Sequence, residues 1–204
     1  MSEFDDRAAN WDDFPVHIER SKAIAKALLA TGVVKKDHRL LDFGAGSGLL
    51  GEFLGPHCRE MVLMDNSAGM VEVMRDKVIR NGWFTLEPLH HDLLVEPYLD
   101  CPFDGIVTQM VLHHIDDIPS LLLRFYEMLR PDGFLAIADL YPEDGSFHGE
   151  GFTGHLGFEP AVLTAWLDEA GFELCSLEPC FSVRKQREGE ELLFPLFLAL
   201  ARRK

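Results

Sequence analysis

Residues 40–48 read LLDFGAGSG, a short apolar run that passes directly into three glycines at alternate positions. The apolar run predicts a buried β-strand over residues 39–43, and the glycines predict a tight turn from that strand into a helix. Glycine suits such a turn because the backbone needs unusual φ angles there, and because a ligand can approach bare backbone closely. The same glycines also fit a strand-to-helix turn that binds nothing, so the pattern alone leaves both interpretations open.

Apolar runs and helical periods alternate along the rest of the chain, as expected for a parallel α/β sheet. Helices are predicted over residues 67–81, 117–129 and 160–170. Further strands are predicted over residues 61–65, 84–89, 103–110, 134–140, 172–183 and 192–201. The last two strands are joined by a turn at residues 187–190 without an intervening helix. This connection predicts one antiparallel strand in an otherwise parallel sheet.

The chain is predicted to form one domain over residues 1–204, because no linker, repeat or low-complexity tract interrupts it. We expect four parts: an N-terminal helical cap, a cofactor-binding core, a substrate lid, and a C-terminal helix with a strand hairpin. Their boundaries are, in that order, residues 1–36, 37–140, 141–158 and 159–204. The third part is long and rich in glycine and aromatic residues, which suits a lid, although a plain surface loop has a similar composition.

The charge of the chain narrows the classes of partner. Its 204 residues include 19 Lys and Arg against 34 Asp and Glu, a formal net charge of −15. This excess of acids opposes binding to nucleic acids and to anionic membrane surfaces. The four cysteines form no Cys-x-x-Cys pair and are expected to be reduced core residues, and neither a signal peptide nor a membrane-spanning run is visible. We expect a cytoplasmic protein without nucleic-acid or membrane partners; the sequence indicates no oligomeric state.

Two acidic residues decide between two classes of cofactor. Asp65 ends the second predicted strand about twenty residues after the glycine turn, where a carboxylate accepts from ribose hydroxyls, although it also fits the N-cap of the next helix. Residues 46–51, GSGLLG, match the G-x-G-x-x-G fingerprint of dinucleotide-binding proteins. Asp42, however, precedes the glycines at the mouth of the predicted site, where its charge opposes a pyrophosphate and favours an ammonium. S-adenosylmethionine has a ribose and an ammonium but no phosphate, so charge favours it over NAD.

The glycine turn and four further segments resemble the motifs of class I S-adenosylmethionine-dependent methyltransferases. The four segments are residues 64–70, 91–93, 103–115 and 129–134. Within that family, the sequences LHHI at residues 112–115 and LRPDG at residues 129–133 are most similar to the ubiquinone/menaquinone-biosynthesis-like enzymes of the methyltransferase type 11/12 group. The resemblance covers roughly residues 35–140. It implies a Rossmann-like, doubly wound α/β sheet of seven strands, mostly parallel with an antiparallel last strand.

At the methionine end of the cofactor, the resemblance implies roles for five residues. Asp42 would face the methionine ammonium directly or through water. Gly44, Ala45 and Gly46 would lie against the cofactor. The backbone at Gln109 would touch the methionine portion, although the family commonly has a small residue there, which leaves the role of the Gln109 side chain open.

At the nucleoside end, the resemblance implies roles for five more residues. Asp65 would hold the ribose hydroxyls. Asn66 and Met70 would lie beside the adenine. Asp92 would accept a hydrogen bond from the adenine amino group, and the Leu93 N–H would donate to a ring nitrogen.

The acceptor side is less defined. Methyl transfer is an in-line displacement, so the acceptor atom must be held about 3 Å from the methyl group in a water-poor pocket. A base is needed only when the acceptor loses a proton, and His114 and His148 are the candidates, with packing as the alternative role. Trp11, His113 and Tyr141 are candidate contacts to the substrate or lid. We expect no metal site, because the histidines lack an i, i+4 or His-x-His spacing.

These observations predict an S-adenosylmethionine-dependent methyltransferase that acts on a small-molecule acceptor and releases S-adenosylhomocysteine. An NAD-dependent oxidoreductase is the first alternative, because of the dinucleotide-like glycines. A non-catalytic S-adenosylmethionine-binding module that regulates a partner is the second, because it would retain the same glycines and Asp65.

Overall fold

The computed structural model describes residues 5–100, 102–187 and 189–204. The helices in these ranges are α1 Pro15–Ala30, α2 Leu49–Leu54, α3 Ala68–Asn81, α4 Ile118–Met128 and α5 Pro160–Glu169. The strands are β1 Arg39–Phe43, β2 Glu60–Asp65, β3 Leu86–His90, β4 Phe103–Gln109, β5 Leu129–Leu140, β6 Phe172–Arg187 and β7 Glu190–Arg203. Short 3-10 helices cover Asp5–Asp13, Gly55–His57 and Leu112–His114.

The seven strands form one sheet in the order β3-β2-β1-β4-β5-β7-β6. Strands β1 to β5 pair in parallel, whereas β7 runs antiparallel to both β5 and β6. This confirms the expected Rossmann-like, doubly wound sheet with one antiparallel strand. The strand order reverses between β1 and β4, and ligands of such sheets bind outside the carboxyl ends of the strands at that point.

Helices cover both faces of the sheet, because alternate residues of each central strand point in opposite directions. Leu41 packs in one core with Leu121 of α4 and Leu163 of α5. Its neighbour Leu40 packs in the opposite core with residues of α1, α2 and α3, Leu28 among them. With both faces buried, the carboxyl edge of the strands is where the sheet presents a binding site.

Local sequence signals set the ends of two helices, as predicted. Ser67 is the N-cap of α3, and its Oγ accepts a hydrogen bond from the Met70 N–H at 3.2 Å. Gly82 ends the same helix in a left-handed conformation with φ of 65°. Asp117 caps α4 by accepting a hydrogen bond from the Ser120 N–H at 3.1 Å. Because Ser67 supplies the cap of α3, Asp65 remains available for another role.

The fifth strand departs from the prediction. It begins at Leu129 rather than at Phe134, because Leu129 already pairs with Phe103 of β4. In place of the expected turn the strand has an irregularity, where the register shifts and Asp132 adopts a φ of 62°. Strand pairing across the sheet therefore overrides the local turn preference of Arg130–Gly133.

The cysteines fit their prediction only in part. Cys58, Cys175 and Cys180 are free, as expected, but Cys175 is exposed and only Cys58 is buried. Cys101 lies outside the described residues. None of the described helices has the length and apolar character that a membrane crossing requires.

The N-terminal 3-10 helix lies over the glycine turn and α3. Asp12 ties it down, because one carboxylate oxygen accepts from Ser47 Oγ at 2.5 Å and the other from Lys77 Nζ at 2.7 Å. Asp5 accepts from Ser67 Oγ at 2.6 Å at the start of α3. Residues 1–4 of the expected N-terminal helical cap lie outside the described residues.

Candidate functional site

A pocket of about 520 Å³ opens at the carboxyl edge of the sheet. Its volume is within the range of about 300–1,000 Å³ that is usual for small-molecule sites. The glycine turn, the ends of β2 and β4 and the 3-10 helix Asp5–Asp13 form much of its wall, and residues 147, 148 and 152 close it from the loop that follows β5. The pocket therefore lies where the topology of the sheet predicts a ligand.

The glycine turn presents its backbone to this pocket, since Gly44, Ala45 and Gly46 all line it. The Gly44 and Ala45 N–H groups donate to the Met64 carbonyl at 2.9 and 3.0 Å, which fixes the turn against β2. Gly44 has a φ of 69°, and a Cβ there would lie 2.4 Å from a Val111 methyl carbon. The turn therefore requires glycine for both backbone conformation and space.

Asp65 holds the glycine turn in place and faces the pocket. One carboxylate oxygen accepts from the Gly46 N–H at 2.7 Å and the other from the Ser67 N–H at 2.8 Å. Burial raises the pKa of Asp65, while these two hydrogen bonds act in the opposite direction. Each oxygen keeps acceptor capacity beyond its one backbone donor, as binding to a vicinal diol requires.

The residues expected beside an adenine also line the pocket. Asn66 Nδ2 donates to an Asp92 carboxylate oxygen at 3.4 Å, and the other Asp92 oxygen accepts from the Leu94 N–H at 2.9 Å. Met70 and Leu93 are buried and supply the apolar part of this wall. The structure thus brings two acidic side chains and an apolar surface together at one end of the pocket.

Asp42 does not lie at the mouth of the site, contrary to the sequence-based expectation. Its side chain is fully buried in β1, and it is not among the residues that line the pocket. Neither carboxylate oxygen has a hydrogen-bond partner among the described residues. Burial raises the pKa of Asp42 to about 8, and the negative charge of Asp65 adds to the rise. An unsatisfied buried carboxylate needs a hydrogen-bond donor. Because Asp42 does not line the pocket, a bridging water molecule would link it to an ammonium more readily than direct contact would.

Arg20 is a pocket residue that the sequence prediction missed. It lies on α1, lines the pocket and is only 8% exposed. Its Nε has no hydrogen-bond partner, and the guanidinium forms no salt bridge with any described residue. Burial lowers the pKa of Arg20 to about 10, although the negative charge of Asp139 opposes this effect. In the next residue, Ser21 Oγ accepts a hydrogen bond from Gln109 Nε2 at 2.9 Å. This bond holds this part of α1 against the end of β4.

Three histidines meet at the other end of the pocket. His113 and His114 come from the 3-10 turn after β4, and His148 comes from the loop after β5. Their ring centroids are 4.2 to 5.3 Å apart, and His148 stacks on Phe152 at 3.8 Å. His113 Nδ1 donates to a carboxylate oxygen of Asp139 at 2.6 Å, with both side chains buried. Sequence reasoning missed Asp139, which is the last residue but one of β5.

Burial makes two of these histidines, His114 and His148, weakly basic. Burial lowers the pKa of His114 to about 4, with a further contribution from the positive charge of His113 in its protonated form. Burial likewise lowers the pKa of His148 to about 4. Both imidazoles are therefore neutral and weakly basic near pH 7, unlike an efficient general base, whose pKa lies close to the working pH. His113 has the buried carboxylate of Asp139 to orient it and to stabilise an imidazolium.

The same cluster bears on the expectation of no metal site. One ring nitrogen from each histidine lies within 4.8 Å of the others, which the sequence spacing did not reveal because His148 is distant in the chain. Arg20 and Lys185 line the same pocket, and their positive charge opposes a divalent cation. We therefore keep a metal-free site as our proposal.

The two remaining predicted residues, Trp11 and Tyr141, differ in their position relative to the pocket. Trp11 lines the pocket and stacks on His17 at 4.4 Å. Tyr141 is not among the pocket-lining residues, because its ring packs edge-on against Phe197 of β7 at 5.4 Å. The prediction that Tyr141 contacts the substrate is therefore not supported by its position.

The expected lid, residues 141–158, is attached to the body of the protein at several points. The Phe147 carbonyl accepts from Lys185 Nζ at 2.6 Å and from Arg187 Nη2 at 3.0 Å. The His155 N–H donates to the His113 carbonyl at 2.8 Å. These contacts place His148 over the pocket, so the segment forms a wall of the site.

Comparison with known proteins identifies related chains. The model of a methyltransferase-domain family matches residues 16–177. An uncharacterized methyltransferase of Schizosaccharomyces pombe is 30% identical, over 78% of this chain and 68% of its own length. A demethylmenaquinone methyltransferase of Listeria monocytogenes is 27% identical over 66% of this chain, which spans only 56% of that protein. The solved structure of an S-adenosylmethionine-dependent methyltransferase from Aquifex aeolicus has a TM-score of 0.65 at 18% identity, covering 86% of this chain and 88% of that one.

Proposed function

Because this chain belongs to the methyltransferase-domain family, we propose that it transfers a methyl group from S-adenosylmethionine to a small-molecule acceptor. S-adenosylmethionine is the cofactor that this family implies. One observation supports the proposal: a single pocket is lined both by Asp65, whose carboxylate keeps acceptor capacity for a diol, and by His113, which is hydrogen-bonded to Asp139. A cofactor and an acceptor bound in that pocket would lie side by side.

At the nucleoside end, the chain offers the groups that a ribose and an adenine need. Asp65 would accept from the two ribose hydroxyls while its backbone donors keep it in position. Asp92 would accept from the adenine amino group, with Asn66, Met70 and Leu93 around the ring. When bound, the cofactor supplies an electrophilic methyl group on a sulfonium.

At the amino-acid end, a buried acid and a buried guanidinium match the ammonium and the carboxylate of the cofactor. Asp42 would face the ammonium, directly or through water, because both of its oxygens lack a donor. Arg20 would bind the carboxylate, because it is a buried guanidinium without a salt bridge among the described residues. Gly44, Ala45, Gly46 and the Gln109 backbone would lie between them.

Binding of the ammonium is expected to release a proton from Asp42. Its folded-state pKa is raised to about 8, so Asp42 is mostly protonated at pH 7 in the free protein. A nearby positive charge favours the carboxylate and lowers this pKa. Calorimetry with S-adenosylhomocysteine at pH 7, in buffers of different ionisation enthalpy, should detect the released proton, and Asp42→Asn should remove this buffer dependence.

The same raised pKa predicts how the free protein responds to pH. The folded state holds the Asp42 proton more tightly than the unfolded state, so this contribution to stability is full below about pH 4 and is lost as pH rises toward 8. Asp42→Asn should flatten this part of the profile of unfolding free energy against pH. If the wild type and Asp42→Asn released equal numbers of protons and had equal pH profiles, the assignment of the raised pKa to Asp42 would be contradicted.

At the acceptor end, the chain would orient a nucleophile and remove its proton. His113 donates its Nδ1–H to Asp139, which leaves the Nε2 lone pair as the acceptor for a proton from a hydroxyl, thiol or amine. This assigns the base role to His113, while His114 and His148 would act by contacting and orienting the acceptor. Trp11 and Phe152 would help to exclude water from the reacting atoms.

The proposal is tested first by binding and then by turnover. Calorimetry with S-adenosylhomocysteine should show saturable binding, whereas NAD should not bind. Absence of S-adenosylhomocysteine binding at about 1 mM would refute the proposal. Binding of NAD alone would favour the oxidoreductase. A screen of cell metabolites with a labelled methyl donor should yield a small labelled product. Cofactor binding without any labelled product would favour a regulatory module.

A further inference from the structure

The acceptor end of the pocket is positively charged in a strongly acidic protein. The chain has 34 acidic residues against 19 basic ones, yet three cationic side chains line this pocket: Arg7, Arg20 and Lys185. The carboxylates that line it are Asp65 and Asp92, which belong to the nucleoside end. Arg7 lies close enough to His114, and Lys185 close enough to His148, for the charge of each cation to lower the pKa of that histidine.

Each of the two acids behind this end of the pocket is bonded through one oxygen, while its other oxygen, Asp139 Oδ2 or Glu143 Oε1, has no hydrogen-bond partner among the described residues. Asp139 accepts from His113 Nδ1 and from the Leu140 N–H at 2.8 Å. Glu143 accepts through one oxygen from the N–H groups of Gly145 and Phe147, at 2.8 and 2.9 Å. Neither side chain is among those that line the pocket. They lessen the positive potential but present no carboxylate to Lys185 within salt-bridge distance among the described residues.

The cofactor does not neutralise this charge. S-adenosylmethionine carries a sulfonium, an ammonium and one carboxylate, which sum to a net charge of +1. Arg20 would take its single carboxylate. Lys185 and Arg7 then remain beside a ligand whose net charge has the same sign as theirs, an arrangement that an anion in the acceptor position would relieve.

Lys185 is well placed to bind that anion. It lies on β6, is half-buried and lines the pocket. Its Nζ donates to the Phe147 carbonyl at 2.6 Å and lies 3.6 Å from the centroid of the Phe147 ring. An ammonium has three N–H donors, so the bond to Phe147 leaves capacity for a ligand. Burial and the positive charges of Arg187 and Arg20 lower the pKa of Lys185 to about 8, which a bound anion would reverse.

We propose that the methyl acceptor is a small molecule that carries an oxyanion, either a carboxylate or a phosphate, and that Lys185 binds this oxyanion. The inference rests on the proposed function for the identity of the neighbouring cofactor. The ring of Phe147 beside Lys185 and the ring of Phe152, which stacks on His148, both line the pocket and suit an acceptor with an apolar body. The nucleophilic hydroxyl, thiol or amine of the same molecule lies against His113, away from the oxyanion.

The test uses small anions as probes on the full-length protein saturated with S-adenosylhomocysteine. Calorimetry should show that benzoate or phenyl phosphate binds and that neutral benzamide does not, and the better of the two anions identifies the oxyanion class. Lys185→Gln keeps an N–H donor for the Phe147 carbonyl but removes the charge. It should weaken anion binding about 10- to 100-fold, the range for one charge-assisted hydrogen bond. Lys26→Met, on the exposed face of α1, is the matched control and should change nothing.

The outcomes separate this proposal from its rivals. Equal binding of benzoate and benzamide, or no effect of Lys185→Gln on either anion, would overturn it. If Lys185 served only to anchor the loop, Lys185→Gln would lower the melting temperature or the affinity for S-adenosylhomocysteine, both of which we expect to be unchanged. If Arg20→Met removed anion binding and spared the cofactor, the anion would belong to Arg20. Failure of S-adenosylhomocysteine to bind would contradict the proposed function instead.

Discussion

Replacing Asp65 with alanine is expected to weaken the binding of S-adenosylhomocysteine at least about 100-fold, since two hydrogen bonds from ribose hydroxyls to a charged acceptor are lost. The bonds form in a largely buried site, where Asp65 is only 9% exposed and water competes poorly. Calorimetry on the purified protein measures the effect directly. Asp76→Ala removes an equal charge from the exposed face of α3 and should leave the affinity unchanged.

Asp65 also has a structural role, which the experiment must separate from binding. Alanine leaves the N–H groups of Gly46 and Ser67 without their acceptors, at a cost of about 1–3 kcal/mol for each buried donor. Asp65→Asn keeps one amide oxygen and should unfold at a temperature between those of the wild type and of Asp65→Ala. Both affinities should be measured well below the lowest melting temperature. An unchanged affinity in a folded Asp65→Ala protein would refute the ribose assignment.

Replacing Arg20 with methionine is expected to stabilise the free protein and to weaken cofactor binding. Arg20 is 8% exposed, and its guanidinium has no salt bridge among the described residues, so its burial is poorly compensated, and methionine fills similar space without charge. A gain of about 1 kcal/mol corresponds to a rise of about 2–4 °C in melting temperature for a chain of this size. Affinity for S-adenosylhomocysteine should fall about 10- to 100-fold, because the carboxylate loses its partner.

A second ligand tells whether Arg20 acts on the carboxylate. 5′-Methylthioadenosine has the same nucleoside but lacks the amino-acid end, so its affinity for Arg20→Met should equal that for wild type. Lys26→Met on the same helix is the control for the loss of one positive charge. An equal loss of affinity for both ligands, or a fall in melting temperature, would show that Arg20 supports the fold instead of the cofactor.

Most of the cofactor end was predictable from sequence, because it is encoded in short stretches. The glycine turn specifies its own backbone conformation, and Asp65, Asn66 and Asp92 lie at or just after the end of a strand that local hydrophobicity reveals. Residues that directly follow parallel strands must meet at one edge of the sheet. Placing them in one pocket therefore required no knowledge of side-chain packing.

The acceptor end was not predictable in the same way. His113 and His114 are adjacent in sequence and look equivalent there, yet it is His113 whose Nδ1 donates to Asp139, which is 26 residues away on the next strand of the sheet. Tyr141 follows β5 in the manner of a site residue but packs against β7 instead. These outcomes depend on strand register and on which face each side chain takes.

By itself the sequence determined the α/β class and the strand that ends in the glycine turn, because local periodicity and glycine express these properties directly. Its motifs favoured S-adenosylmethionine over NAD through their resemblance to the methyltransferases, whereas the charge argument put Asp42 at the mouth of the site, where the structure does not place it. The tertiary structure alone decided that Asp42 is buried with a raised pKa, that Arg20 is buried in the pocket with no salt bridge to any described residue, and that positive charge lies beside the histidines. The physical reason is desolvation. The energy of a charge depends on all the atoms that replace water around it, and those atoms come from distant parts of the chain.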